Sequence, residues 1–327
     1  MTSSQFAAFE QFRSDFRKKV ATWSRFAHAL APLQKCAAQS DTPEYPLETC
    51  VVYNRALDDI TQQDDIKLIL IGDNPGKDEQ LACNNRYLVG QSGKLADGFF
   101  RRNSGLGIDF RKHVVILNKT PVHTAKTKHL RALQKDEKIA QLILESQVWM
   151  AERTALLHQA LVAGALRHED GTLQHADILP RAKKATFVPS ETRRARTKDV
   201  PQTNMLCHAD MLPHIKGAAF TPSEAPSAGA ANVPQLWLVG YAELKKGGVF
   251  TPYRDALKNT YADKGAQCAW QNVFVYQHFS MNCFSIDLKK YFTKRSMPYD
   301  TATLTTAALA TSLAELGALH KGEIFDT

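Results

Sequence analysis

Four short apolar runs punctuate the chain: Leu68-Ile69-Leu70-Ile71, His113–Leu117, Gln235–Val239 and Asn272–Tyr276. Each is too short for a helix and rich in branched or aromatic side chains, the pattern of a buried strand. Between them the apolar positions fall at helical spacing. Leu95, Phe99 and Phe100 mark a helix over 92–102, and Leu130, Leu133, Ile139, Leu142, Ile143, Met150, Leu157 and Leu161 mark one long helix or a helical pair over 128–166. Further helices are expected over 252–262 and 302–319. At the front, Phe6, Phe9, Phe12, Phe16 and Val20 form a stripe predicting one or two amphipathic helices over 3–39, with the aromatic rings as core. Strands alternating with helices in this order predict an α/β fold, a three-layer α/β/α sandwich around a central, mainly parallel four-stranded sheet. The expected organisation is a single domain over 1–327 with a helical extension at 1–45. Residues 167–233 break the pattern. Pro180, Pro189, Pro201, Pro213, Pro222 and Pro226 interrupt them, and Arg181 to Lys198 carries seven basic residues against one acidic. They are expected to form an irregular basic insertion, either a solvated loop or an arm touching nucleic acid.

In a parallel sheet all carboxyl ends lie on one edge, where open α/β folds bind ligands. Three of the four strands run into polar residues there. The first opens into Gly72-Asp73-Asn74-Pro75-Gly76, the second ends at Asn118, and the fourth leads to Gln277-His278-Phe279-Ser280. Taken singly, each of these reads as a turn or a cap: Asx-Pro-Gly is a common turn, and a lone His near a strand end is more often structural. Together they offer a carboxylate or amide to hold water, an amide that reads a hydrogen-bonding edge, and an imidazole to stabilise developing negative charge. Gly90, Ser92 and Gly93 precede a helix, so their amides and Lys94 suit a phosphate. A nucleotide-binding P-loop is excluded, because Leu88 stands where its first Gly is needed and Leu95 replaces Ser/Thr.

Composition then narrows the partners. Hydrophobic and charged contents of 44% and 23% are ordinary, but 41 basic against 33 acidic residues give +8, which favours a polyanionic partner. The six cysteines are scattered without a CxxC, which argues against a zinc module or a disulfide scaffold and for reduced thiols. No signal peptide and no apolar run long enough for a membrane span is visible, so a soluble, cytoplasmic protein is expected, with no membrane partner.

These motifs, in this order, resemble the uracil-DNA glycosylase superfamily. Gly72-Asp73-Asn74-Pro75-Gly76 is similar to its first motif, and Val89-Gly90-Gln91-Ser92-Gly93-Lys94-Leu95 to the PFVGxxGxxL run of family 4. Val115-Ile116-Leu117-Asn118 resembles the strand ending in the base-reading Asn, Leu238-Val239-Gly240-Tyr241-Ala242 the LGxxA strand end, and Gln277-His278-Phe279-Ser280 the HPS motif. The likeness spans about residues 67 to 290, interrupted by the insertion. It also has departures. The four iron–sulfur cysteines of family 4 are missing, Leu88 (preceded by Tyr87) stands where a Phe stacks on uracil, and Phe279 replaces the Pro of HPS. Asn74 resembles instead the mismatch-specific and single-strand-selective branches.

The resemblance implies a metal-independent, cofactor-free monofunctional glycosylase that flips a uracil or related damaged or modified base out of single- or double-stranded DNA and hydrolyses its glycosidic bond; a monomer is expected. On that reading Asn118, with Tyr87 and Leu88, holds the base; His278 donates to the developing oxyanion; Asn74 places the water; and Asp73 lends negative charge near the cationic sugar. DNA contacts fall to Gly90, Ser92, Gly93, Lys94 and Ser280, with Phe279 and Met281 as apolar wedges or as ordinary packing. Two other classes fit less well: a DNA-binding module that keeps the fold without turnover, and a phosphohydrolase using a thin acidic cluster at Asp73, Asp78 and Glu79.

Overall fold

The computed structural model describes residues 1–169, 233–297 and 304–326, all within one compact unit. Its centre is a four-stranded, all-parallel sheet of β1 (Leu68–Gly72), β2 (Val114–Asn118), β3 (Gln235–Val239) and β4 (Val273–Tyr276), in the order β2-β1-β3-β4. Strand residues alternate between two cores. Ile69, Ile71, Val115, Leu117, Leu236, Leu238, Val273 and Val275 face one; Leu68, Leu70, Val114, Ile116, Trp237, Val239, Phe274 and Tyr276 face the other. Because both faces are buried, the runs read as unbroken apolar stretches rather than as alternation.

Helices cover both faces, as a three-layer α/β/α arrangement requires. The first core takes α1 (Ser3–Trp23), α2 (Ala27–Ala38), the short α4 (Leu130–Leu133), α5 (Glu137–Glu169) and α7 (Thr251–Thr260). The second takes α3 (Gln91–Arg102), α9 (Cys283–Lys294) and most of α10 (Thr306–Phe325). Two one-turn helices, α6 (Tyr241–Leu244) and α8 (Gln267–Gln271), complete the set among the described residues. The chain steps from β1 to β2 through α3 on one face, then reverses through α5 and α7 on the other. That reversal keeps the parallel crossovers right-handed. It also puts a topological switch point between β1 and β3, where the connections leave in opposite directions.

The helices of the expected 1–45 extension pack on the body through their aromatic stripe: Phe12, Phe16 and Trp23 lie against Trp149 of α5, and Phe9 and Val20 are buried in the same core. α1 starts on a capping box, with the Thr2 hydroxyl accepting from the Gln5 N–H and the Gln5 side chain accepting from Thr2 N–H. The expected insertion lies almost wholly outside the described residues, and its first three positions, 167–169, continue α5. No helix among the described residues is long and apolar enough to cross a membrane.

Candidate active site at the carboxyl edge of the sheet

The residues after β1, β2 and β3 meet at the β1/β3 switch point. Asp73 leaves β1 buried, and its Oδ1 accepts from the Nζ of Lys119, which follows β2, at 2.6 Å. Lys119 is fully buried. Its Nζ also donates to the carbonyls of Val239, at the end of β3, and of Gly72, and it lies 4.9 Å from the Phe250 ring centroid. Burial pushes the Lys119 ammonium down and the Asp73 carboxylate opposes that. One side chain thus ties together the ends of three strands. Gly240 makes room for the pair: a methyl group there would overlap Asp73 Oδ1, and its φ of +93° suits glycine.

His278 arrives from β4, half-buried. Ser280 N–H donates to its Nδ1 at 3.0 Å and the Ser280 hydroxyl lies 2.7 Å from the same nitrogen. Nδ1 therefore accepts, and the proton of the neutral ring sits on Nε2. Burial lowers the His278 pKa; Asp73 acts against burial and Lys119 acts with it. The result is an uncharged imidazole with a donor Nε2–H, the state needed to stabilise a developing oxyanion without carrying a charge beforehand.

Asn74 is anchored by its amide nitrogen, which donates to Thr124 Oγ1 at 2.8 Å and, at 3.3 Å each, to the carbonyls of Val122 and Pro75. Its Oδ1 is left to accept from a water. The loop is pinned further by His123, whose Nδ1 lies 2.8 Å from the Pro75 carbonyl and which burial holds down to about 4.

Asn118 ends β2 almost fully buried, and its Nδ2 has no hydrogen-bond partner of ordinary geometry. The amide is not left open, however: it bears on the Glu79 carboxyl. Its Oδ1 lies across Gly72, where any side chain would collide with it. Glu79 stands close enough to Asn118 for the amide to favour its charged form. Burial nevertheless lifts the Glu79 carboxyl to about 7, against the backbone N–H groups of Gly76 and Leu88.

Two expected placements are corrected. Tyr87 does not offer a ring to a base: it is 1% exposed and its hydroxyl donates to Val52 O at 2.6 Å, which fixes it in the core. Phe279 is not a wedge, because it is 2% exposed and stacks on Phe284 with centroids 4.4 Å apart. Met281 is the opposite, 86% exposed on a turn in which both it and Asn282 have left-handed φ values of 52° and 59°. Two adjacent non-glycine residues in that region are strained, and they hold the thioether side chain out in solvent.

The proposed phosphate site is mixed. Gly90 caps α3 without a side-chain hydrogen bond, Ser92 is half-buried and Lys94 is exposed. Gly93 is instead a packing glycine, since a methyl group there would collide with the Leu88 backbone. Leu88 itself is buried with φ 52°, and its carbonyl accepts from Arg111 at 2.6 Å. The Asp78 carboxylate stands beside Gly90, so an incoming phosphate would have to displace it or approach past it. No group of three or more metal-ligating side chains occurs among the described residues.

Sequence reasoning missed Lys119. The residue was visible directly after Asn118, but nothing in its neighbourhood signals burial, because its partners lie 46 and 120 positions away. Glu79 entered only as part of an acidic cluster, whereas it stands buried beside Asn118. No protein-family model, curated protein or solved structure matches the chain.

Proposed function

We propose that this protein is a divergent member of the uracil-DNA glycosylase superfamily, a monofunctional DNA glycosylase that acts on uracil or a related damaged or modified base. The observation that carries the reading is the state of His278 after β4: a neutral imidazole whose Nδ1 accepts from Ser280 N–H, so that its proton sits on Nε2. Departure of a base anion from an oxocarbenium-like sugar needs a donor to the base carbonyl more than it needs a strong base. A preorganised neutral donor supplies that stabilisation. Asn118 would hold the flipped base by its edge, its Nδ2 exchanging the Glu79 carboxyl for an edge acceptor such as the O4 of uracil. Asn74 would place the water through Oδ1, and Met281 would fill the gap left in the stack. The basic balance of +8 suits DNA, and the working form is taken as a cytoplasmic monomer needing no cofactor.

Tyr87 favours a second reading. Its ring is locked in the core and Leu88 beside it is aliphatic, so no aromatic face is offered to a flipped base at the family's stacking position. A protein that binds DNA without turnover is consistent with that loss. One assay separates the two. A uracil-containing oligonucleotide is incubated with the protein, with and without EDTA, and cleaved by alkali. The glycosylase reading expects EDTA-insensitive abasic product, reduced about 10²-fold or more in His278→Ala and Asn74→Ala. DNA binding without product supports the second reading and overturns the first.

A further inference from the structure

The helix that leaves the candidate site has two unlike sides. α9 begins where the His278 loop ends: Phe284 N–H donates to the His278 carbonyl at 3.1 Å, and the exposed Met281 lies two residues before the helix starts. The inner side, Phe284, Leu288, Tyr291 and Phe292, is buried in the second core. The outer side carries Ile286, Lys289, Lys290, Thr293 and Lys294, all exposed and spaced so that they form one stripe. We propose that this outer face of α9 is a docking surface for the phosphate backbone of DNA, holding the strand beside the Met281 turn. The choice of DNA rests on the glycosylase reading and deepens it by naming where the strand lies.

Charge complementarity selects the occupant. Among the described residues no ion pair holds Lys289, Lys290 or Lys294, whereas the neighbouring Arg295 is bound to Glu315 at 2.5 Å. Asp287 is the only acid of the helix. It is half-buried and lies 3.6 Å from His320 of α10, and through space it feels Lys290 and Lys294. Three exposed ammonium groups therefore face one partly covered carboxylate, on a chain that is basic as a whole. From Ile286 to Lys294 the stripe runs roughly 12 Å along the helix axis, the rise of about three to four base pairs. A membrane surface suits this face less well. A helix lying on lipid inserts an apolar side, and the apolar side of α9 is already in the core. Exposed Met281 and Ile286 are too few to replace it.

The experiment compares the full chain with two variants. Lys289→Ala/Lys290→Ala strips the face. Lys112→Ala/Lys264→Ala removes the same charge from exposed lysines that precede β2 and β4, at the opposite edge of the sheet. Binding to a fluorescein-labelled duplex with one uracil is read by anisotropy from 50 to 200 mM salt. The α9 variant is expected to lower the salt slope by about 2, one for each lysine, so that its loss of affinity over this range is about tenfold smaller than that of wild type. The control keeps the wild-type slope, and thermal melting is unchanged in both. An α9 variant with the wild-type slope, an equal fall in the control, or a wild type that does not bind the duplex overturns the proposal. So does a wild type that sediments with vesicles of phosphatidylcholine and phosphatidylglycerol but ignores the duplex. Uracil release from the same duplex is scored separately. A lower slope in the α9 variant with no release by wild type upholds the surface and fails the glycosylase reading, and release with an unchanged slope does the reverse.

Discussion

Glu79 shows at the scale of one residue how placement changes chemistry. An unfolded glutamate gives up its proton near 4.5, while burial keeps Glu79 protonated to about 7. Between those values the folded chain binds more protons than the unfolded one, so the contribution is fully present below about 4.5 and is lost as pH rises through the window. Glu79→Gln removes this dependence. Urea denaturation of both proteins at pH 5 and pH 8 is expected to show the variant gaining on wild type by about 2–3 kcal/mol at the higher pH. The two apolar residues just past β4 separate in the same way. Phe279→Ala hollows the core between Phe99 and Phe284 and is expected to cost about 3–4 kcal/mol of stability. Met281→Ala removes a solvent-exposed side chain; thermal melting is expected to be unchanged, while affinity for duplex DNA falls and affinity for the single strand does not.

At the scale of elements, the strand ends are held in place by side chains that come from other strands. Gly240 begins α6 with φ +93° directly after β3, and a side chain there would meet both backbone strain and the Asp73 carboxylate. Gly240→Ala is therefore expected to destabilise by about 2–3 kcal/mol, measured by chemical denaturation, and to move Asp73 off Lys119. The strands and long helices were legible in sequence because each is specified locally: apolar runs of four or five residues for a sheet buried on both faces, and a 3.6-residue stripe for α1 and α3. The polar residues at the strand ends were legible for the same reason, since parallel strands send their carboxyl ends to one edge. Lys119 was not, because its burial is decided by Asp73 and Val239, far away in the chain. Nor was the fate of Phe279 against Met281. Both are apolar residues just past β4, and only the left-handed turn at Met281 and Asn282 sends one inward and the other out.

For the whole molecule, the question is where a charge of +8 acts. Several cations near the switch-point edge are already spoken for. Lys119 is bound to Asp73; Lys128 and Lys126 converge on Asp41, whose carboxyl they and the hydrogen bond from His129 pull far below its usual range; and Arg131 lies on Glu243. The exposed Lys94 on the first turn of α3 has no ion pair among the described residues, which makes it a cation available to a phosphate near Gly90. If DNA is the partner, binding must release counterions, and log K falls with log salt in proportion to the phosphates neutralised. Affinity for a uracil-containing duplex, read by fluorescence anisotropy, is expected to drop about tenfold or more between 50 and 200 mM salt, the loss from two or more phosphate contacts. Lys94→Ala is expected to weaken binding evenly across sequences and to reduce the salt slope by about 1, the signature of one phosphate contact. A salt-independent affinity would place the excess charge away from any nucleic acid and remove the composition from the case for DNA.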